Sequence, residues 1–567
     1  MPAPILRSLV VCLLALSTCL DLGCKAPPAA PSSPESPPAP AGGGRAPAGN
    51  TAPSPPVSYA PLTTRCEEML VRLRDLESLV PVVFWQSKRP QDQINEDTKE
   101  GIALARRFLD QCPGTEPVCE VKAELARFLF ARGRRQRDEV EKERHQKIKE
   151  SGAATPQMEA AWAEEKLKIE QEMKGYYKEV DTLAHEAADC KASPKARQMG
   201  SFVLLKLAEQ EFRLEEVRGI GRALLEESPD FPFAPSVHIS MASSYLAERR
   251  YKEAVDYLRA VIEKRENDLE YVIYNDRLFD ALMGLGDLEG MEELAQRIRA
   301  EYPERRKTLD VDYYQSLYEQ WYYNALFWIG YVRMALGDAE GAKAAFRESI
   351  AEVEALEARL KAEEKVLNNV IKVYLDNRTR DLLHYLEDLH GNPPVVRDAY
   401  GDPVKDEKGV ARPLDFDLGA FWATEDKLLL KDSRGKVVAA IFHTKGFHED
   451  RSKPFLQAID LLVKERGGDG LRGVWLSFLT GREGLEEDMR AIEALRDERK
   501  ALGVSLPAGY DPDRAEQRLF RSLNATVGSA SFFVFDRKGR YAWYMSDPLG
   551  RDIAVARRVI ARILAEE

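Results

Sequence analysis

From Thr64 to about His390, apolar residues recur at i, i+3, i+4 and i+7, strand-like alternation is rare, and the breaks fall at Pro or Gly. This one period confines more than half of the chain to amphipathic helices. Small or turn-forming residues recur along it. His238 to Ile262 carries Ala242, Tyr245, Ala254 and Leu258, Asn275 to Pro303 carries Gly286, and Leu326 to Ile350 carries Gly330, Gly337, Ala342 and Phe346. Small residues at such places let two antiparallel helices approach closely. A hairpin of that size cannot bury its own apolar face and depends on its neighbours.

On these residues the segment resembles a run of tetratricopeptide repeats, degenerate and irregularly spaced. Arg333 stands where an aromatic is usual, and Met291 where a small residue is usual. Leu204 to Pro229 and Gly101 to Pro113 read as weaker units. The resemblance implies a stack whose concave surface takes a peptide or protein partner.

One part does not read as a repeat. Val118 to Ser151 and Thr155 to Cys190 are two long charged helices joined at Gly152, a coiled-coil-like hairpin expected to project with a solvated tip. Its cluster Arg132, Arg134, Arg135 and Arg137 could meet phosphate or anionic lipid. The adjoining Asp138, Glu139, Glu141 and Glu143 favour a solvated helix with i,i+4 pairs instead. The aromatic run Tyr313, Tyr314, Tyr318, Trp321, Tyr322, Tyr323, Phe327, Trp328 and Tyr331 reads first as core and second as a partner groove.

The first 24 residues differ from the rest. Arg7 is the only charge before Asp21, and Leu9 to Leu20 is almost wholly apolar, too short to span a membrane and suited to a signal peptide. Leu20-Asp21-Leu22-Gly23-Cys24 resembles a bacterial lipoprotein cleavage box, which makes Cys24 the expected lipidated residue, although Asp21 replaces the usual aliphatic residue. Ordinary secretion, or lipid on Cys19, are the other options. Lys25 to Pro61 is a Pro/Ala/Gly/Ser segment that cannot form a core. As a coil its roughly 37 residues span about 35 Å, enough to stand a domain off a membrane. Lys25 leans the expectation toward the outer membrane or its periplasmic face.

Beyond Cys24 the cysteines are Cys66, Cys112, Cys119 and Cys190, an even number that suits an oxidising compartment. Cys112 and Cys119 flank a Pro-Gly turn and form the candidate disulfide; buried free thiols are the alternative. No histidine accompanies them at finger-like spacing, so no metal is expected there. A net charge of −12 and a pI near 5.5 give no attraction to nucleic acid.

After Asn392-Pro393-Pro394 the period changes to strands alternating with helices, reached through a polar linker over residues 391–413. Gly435 to Phe442 and Gly470 to Leu479 read as buried strands, Pro454 to Glu465 and Leu485 to Leu502 as helices. Ala530 to Asp536 and Tyr541 to Met545 read as a hairpin before a closing helix from Asp552 to Ala565. The expected order is β-α-β-α-β-β-α.

From Asp415 to Glu567 this resembles the TlpA/redoxin branch of the thioredoxin family. The resemblance rests on Gly435-Lys436-Val437-Val438, Gly503-Val504, Asn524-Ala525-Thr526-Val527 and Phe533-Val534-Phe535-Asp536-Arg537-Lys538-Gly539. It implies a Cys-x-x-Cys pair after the central strand and a cis-proline before the hairpin. Here those positions fall on Phe447, Asp450 and Ala530. Thiol-disulfide exchange and thiol peroxidation both need a thiolate, and this region has no cysteine. His443 and His448 with Glu449 and Asp450 could bind a metal or shuttle protons, but their spacing matches no metal signature.

The chain is therefore expected to be multidomain: an all-α, tetratricopeptide-like array over residues 63–390 and a C-terminal α/β thioredoxin-like domain over 414–567. The functional expectation is a noncatalytic envelope lipoprotein that acts as a protein-interaction scaffold, with no cofactor, no nucleic acid and a membrane reached through lipid. The alternatives are an enzyme or metal-binding accessory using His443 to Asp450, or a recruiter of a true thiol-disulfide oxidoreductase.

Overall fold

The computed structural model describes residues 59–566 apart from 80–90, 152–155, 309–311, 364–366, 368–369, 398–401, 417, 419–420, 445–448, 479–484, 512–529 and 547. Cys24 and the tether lie outside the described residues. Those described fall into two compact units that meet in sequence at Glu248 and Arg249. The second half of the helical array, from Arg249, falls in one unit with the sheet domain, across the linker at 391–413.

In the amino-terminal unit, α1 (Thr64–Leu79), α2 (Gln91–Gln111), the long pair α3 (Val118–Ser151) and α4 (Pro156–Ala188), then α5 (Pro194–Gln210), α6 (Leu214–Glu227) and α7 (Ala234–Ala247) pack each on the next. At 34 residues, α3 extends about 50 Å. Helix spacing is set by small residues. A Cβ on Gly101 of α2 would sit 2.8 Å from the Phe128 ring of α3, and one on Gly200 of α5 2.6 Å from the α4 backbone. Ser193 caps α5 by accepting from the Ala196 N–H at 3.2 Å.

The disulfides are Cys66–Cys112 and Cys119–Cys190. The expected Cys112–Cys119 link is thus incorrect. Cys112 turns into the core that contains Cys66, while the hydrogen bond from Thr115 Oγ1 to the Cys112 carbonyl and the start of α3 carry Cys119 toward the end of α4. The first bridge ties α1 to the end of α2, and the second ties the foot of α3 to the turn between α4 and α5.

Two arginines on α3 are buried. Arg127 pairs with Glu124 at 2.7 Å and lies over the Phe128 ring. Arg135, expected in a solvated cluster, is 4% exposed and donates to the Ile94 carbonyl, Asn95 Oδ1 and Thr98 Oγ1 of α2. It is therefore a core strut.

The carboxy-terminal unit begins with α8 (Tyr251–Lys264), followed by hairpins α9 (Tyr271–Leu285) with α10 (Leu288–Thr308) and α11 (Asp312–Leu336) with α12 (Ala339–Ala362). A last helix, α13 (Asn377–His384), is flanked by π-helical turns at Val370–Asp376 and Tyr385–Leu389. The turns inside the hairpins need left-handed backbone. Gly286 and Gly337 supply it at φ +69° and +91°, as do Phe212 and Arg249 at +56° and +59° in the corresponding places of the α5–α6 and α7–α8 turns. The last two carry a steric cost that glycine avoids.

Residues 391–413 are ordered where described. Val396 N–H donates to the Arg412 carbonyl, Val404 N–H to Val396, and Arg412 N–H to Val404, a small antiparallel meander. The sheet follows: β1 (Val437–Thr444), α14 (Glu449–Arg466), β2 (Leu471–Phe478), α15 (Leu485–Leu502), β3 (Ala508–Asp511), β4 (Ser531–Phe535), β5 (Tyr541–Ser546) and α16 (Ile553–Ala565). Strand order is β3-β2-β1-β4-β5, with β1, β2 and β3 parallel and β4 and β5 antiparallel. This is a thioredoxin-like sheet. β3 was not expected from sequence, since its four residues Ala-Gly-Tyr-Asp carry no strand pattern.

The bridges predict that a non-reducing peptide map links Cys66 to Cys112 and Cys119 to Cys190. Replacing Cys119 and Cys190 by Ser should lower the stability of the amino-terminal unit by about 4 kcal/mol, measured by urea unfolding, given the loop closed.

Candidate functional site

The repeat positions singled out in sequence are packing positions. Ala242, Ala254, Leu258, Ala342 and Phe346 are fully buried, and a Cβ on Gly330 would come within 2.4 Å of the Phe346 ring. Tyr245 is half-buried beneath Arg218, 5.0 Å from its ring centre. The two departures from the repeat pattern have local reasons. Met291 is buried, and Arg333 donates from Nε to Glu292 on α10 at 2.9 Å, so a salt bridge stands where an aromatic contact is usual.

On the amino-terminal unit the faces of α5 and α7 share a polar triad. Lys206 Nζ lies 2.9 Å from Glu209 and 2.7 Å from Ser240 Oγ, which itself donates to Glu209 at 2.9 Å. Burial works against the Glu209 charge, but Lys206 and Ser240 outweigh it and hold the carboxyl below its ordinary value. Sequence periodicity could not disclose this group, which needs residues from two helices.

On the carboxy-terminal unit the aromatic helix α11 is core for most of its length. Tyr318, Trp321, Tyr323, Phe327 and Tyr331 are buried, and burial pushes the Tyr331 hydroxyl well above its ordinary range. Its end meets the sheet domain, with the Tyr331 and Trp543 ring centres 6.3 Å apart, while within the array Arg378 of α13 lies over Phe327 at 5.2 Å. The expected partner groove is thus partly filled by this chain.

Of the loop after β1, Phe447 lies outside the described residues, and only the backbone of Asp450 is described, in the first turn of α14. Ala530 is buried directly before β4. His443 pairs in register with Ser477 across β1 and β2. The helix after the loop is anchored by Asp460, which is 3% exposed. Its Oδ1 accepts from the Ser505 N–H, Ser505 Oγ and Leu506 N–H, and its Oδ2 from Lys464 at 2.6 Å. Burial opposes the charge, yet Lys464 and Ser505 win and keep the carboxyl below its ordinary value.

Two crevices beside the sheet hold about 10 Å³ each, room for one water. One is lined by Ile441, Lys453, Trp475 and Glu498 among others, the other by Tyr331, Arg378, Asp381 and Tyr544 among others. Neither takes a small-molecule substrate. Among the described residues no group of three His, Cys, Asp or Glu side chains is arranged to hold a metal ion.

The geometry of α11 and α12, with close approach at Gly330 and a left-handed turn at Gly337, coincides with a known sequence family. Residues 324–353 match the tetratricopeptide repeat. No curated protein matches the chain. Among solved structures, one described as a thiol:disulfide interchange protein DsbE from Chlorobium tepidum is similar at 15% identity, covering 29% of this chain and 99% of that one, with a TM-score of 0.22. Another, described as a protein disulfide isomerase from Bacteroides thetaiotaomicron, is similar at 20% identity over 27% of this chain and 87% of that one, with a TM-score of 0.21. The thioredoxin-like assignment rests on the strand order rather than on these likenesses.

Asp460→Ala leaves the Ser505 and Leu506 amides without an acceptor, and should speed their hydrogen exchange by the equivalent of about 1–3 kcal/mol at neutral pH. Because the carboxyl sits below its ordinary value, the wild-type advantage is present above about pH 4 and is lost as pH falls further; the variant should show no such loss.

Proposed function

We propose that this chain is an exported bacterial envelope lipoprotein, anchored through Cys24, that binds other proteins through its helical array and performs no thiol chemistry. The reading is carried by where the cysteines are. All four beyond Cys24 are closed in two disulfides of the amino-terminal unit, and the sheet domain contains none. Thiol-disulfide exchange needs a thiolate attacker, which a thioredoxin-like sheet without cysteine does not supply. Two closed disulfides accord with export to an oxidising compartment. The matched repeat supports a binding role, because such repeats stack into extended surfaces that take protein or peptide ligands.

The anchor is tested by Cys24→Ala, which should move the protein from the membrane pellet to the soluble fraction and abolish labelling by a fatty-acid analogue. Unchanged pelleting and labelling would remove the lipoprotein part of the proposal. The scaffold is tested by crosslinking and co-purification from native membranes. His443→Ala with His448→Ala should leave the captured partners and the cellular phenotype unchanged. Loss of phenotype with the fold intact would favour chemistry at the His443 to Asp450 loop instead, and capture of a Cys-x-x-Cys oxidoreductase would make the chain its recruiter.

A further inference from the structure

β5 is antiparallel to β4, and β4 to β1, so β5 and β1 point the same way and the chain leaving β5 emerges at the carboxyl end of β1. That is the end of an open α/β sheet where ligands are ordinarily taken. Here the turn at that end is built to meet the repeats. Asp552 Oδ2 accepts from the Leu549 N–H at 2.7 Å and closes the turn, and Gly550 lies against the start of α14, where a Cβ would come 3.3 Å from Pro454. Between them Arg551 donates from Nη1 to Asp280 of α9 at 2.7 Å.

The contact continues along α16. Arg558 donates to the Gly286 carbonyl at 3.1 Å and pairs with Glu289 at the start of α10. Arg562 lies beside Gly337, 2.7 Å from where a Cβ would be, and a Cβ on Gly286 would lie 3.0 Å from the Ala554 carbonyl oxygen. Both turn glycines therefore serve twice, once for their left-handed backbone and once as floor for α16. Val555, Val559, Ile560 and Ile563 of that helix are buried.

We infer that the Leu549 to Asp552 turn at the sheet's ligand end, continued by the Arg558 face of α16, is a docking surface for this chain's own repeats, read through Asp280, Glu289 and the Gly286 carbonyl. The sheet domain is then the carboxy-terminal cap of the array. The acidic repeat edge meets two arginines seven residues apart, Arg551 in the turn and Arg558 on α16.

The test is hydrogen exchange on the full chain carrying Arg551→Glu and Arg558→Glu. Docking predicts that exchange at residues 274–290 and 553–565 rises by roughly tenfold or more while β1 and β2 stay protected. Adding Asp280→Arg and Glu289→Arg should restore it. Unchanged exchange on reversal, or no recovery with the complementary pair, overturns the inference. A photoreactive benzoylphenylalanine at position 289 of the otherwise native chain keeps the test open should the reversal fail to fold. It should crosslink within 551–562, and crosslinking elsewhere alone overturns the inference equally.

Discussion

A hairpin of two amphipathic helices always leaves one apolar face uncovered, and the carboxy-terminal unit is organised around covering the last one. After α12, residues Ile371, Leu375, Leu382, Tyr385, Leu386 and Leu389 of the next helical segment are buried. Tyr385 then passes the core on to the sheet domain, with its ring 5.5 Å from that of Tyr544 and edge-on to Tyr541. Backbone pairing of Gly391 and Asn392 with Tyr541 extends β5 at the same place. The array and the sheet therefore share one continuous interior, which is why the compact unit runs across the linker.

The amino-terminal unit meets the same demand by other means. Its long pair α3 and α4 offers little apolar surface per residue, and two crosslinks together with buried, hydrogen-bonded arginines hold its foot. Removing Glu124 would leave the Arg127 charge in a dry site without this partner. The helical period there was plain in the sequence. The role of its charges was not, because burial depends on which helix a residue faces.

The same distinction explains what the sequence disclosed elsewhere. Gly286 and Gly337 were legible because a glycine after an amphipathic run signals a left-handed cap. Phe212 and Arg249 perform the same turn and were invisible, since neither residue type announces it. The central strands, the β4–β5 hairpin and the closing helix could be read from runs of buried residues, whereas β3 is too short to show a period. Cysteine pairing is not legible in sequence, because Cys112 and Cys119 are near in the chain yet bonded to Cys66 and Cys190. The Arg551 to Asp280 contact joins residues 271 positions apart and lay beyond any local pattern.

The bridges are consecutive along the chain: Cys66 with Cys112, then Cys119 with Cys190. For a polypeptide that crosses a membrane amino-terminus first, each of these cysteines meets its correct partner as the next of the four to appear. The first loop can close before Cys119 emerges, and the second contains no competing thiol. An oxidant that joins thiols in order of arrival thus gives the native connectivity without a later round of shuffling, a task that an interleaved pattern would impose.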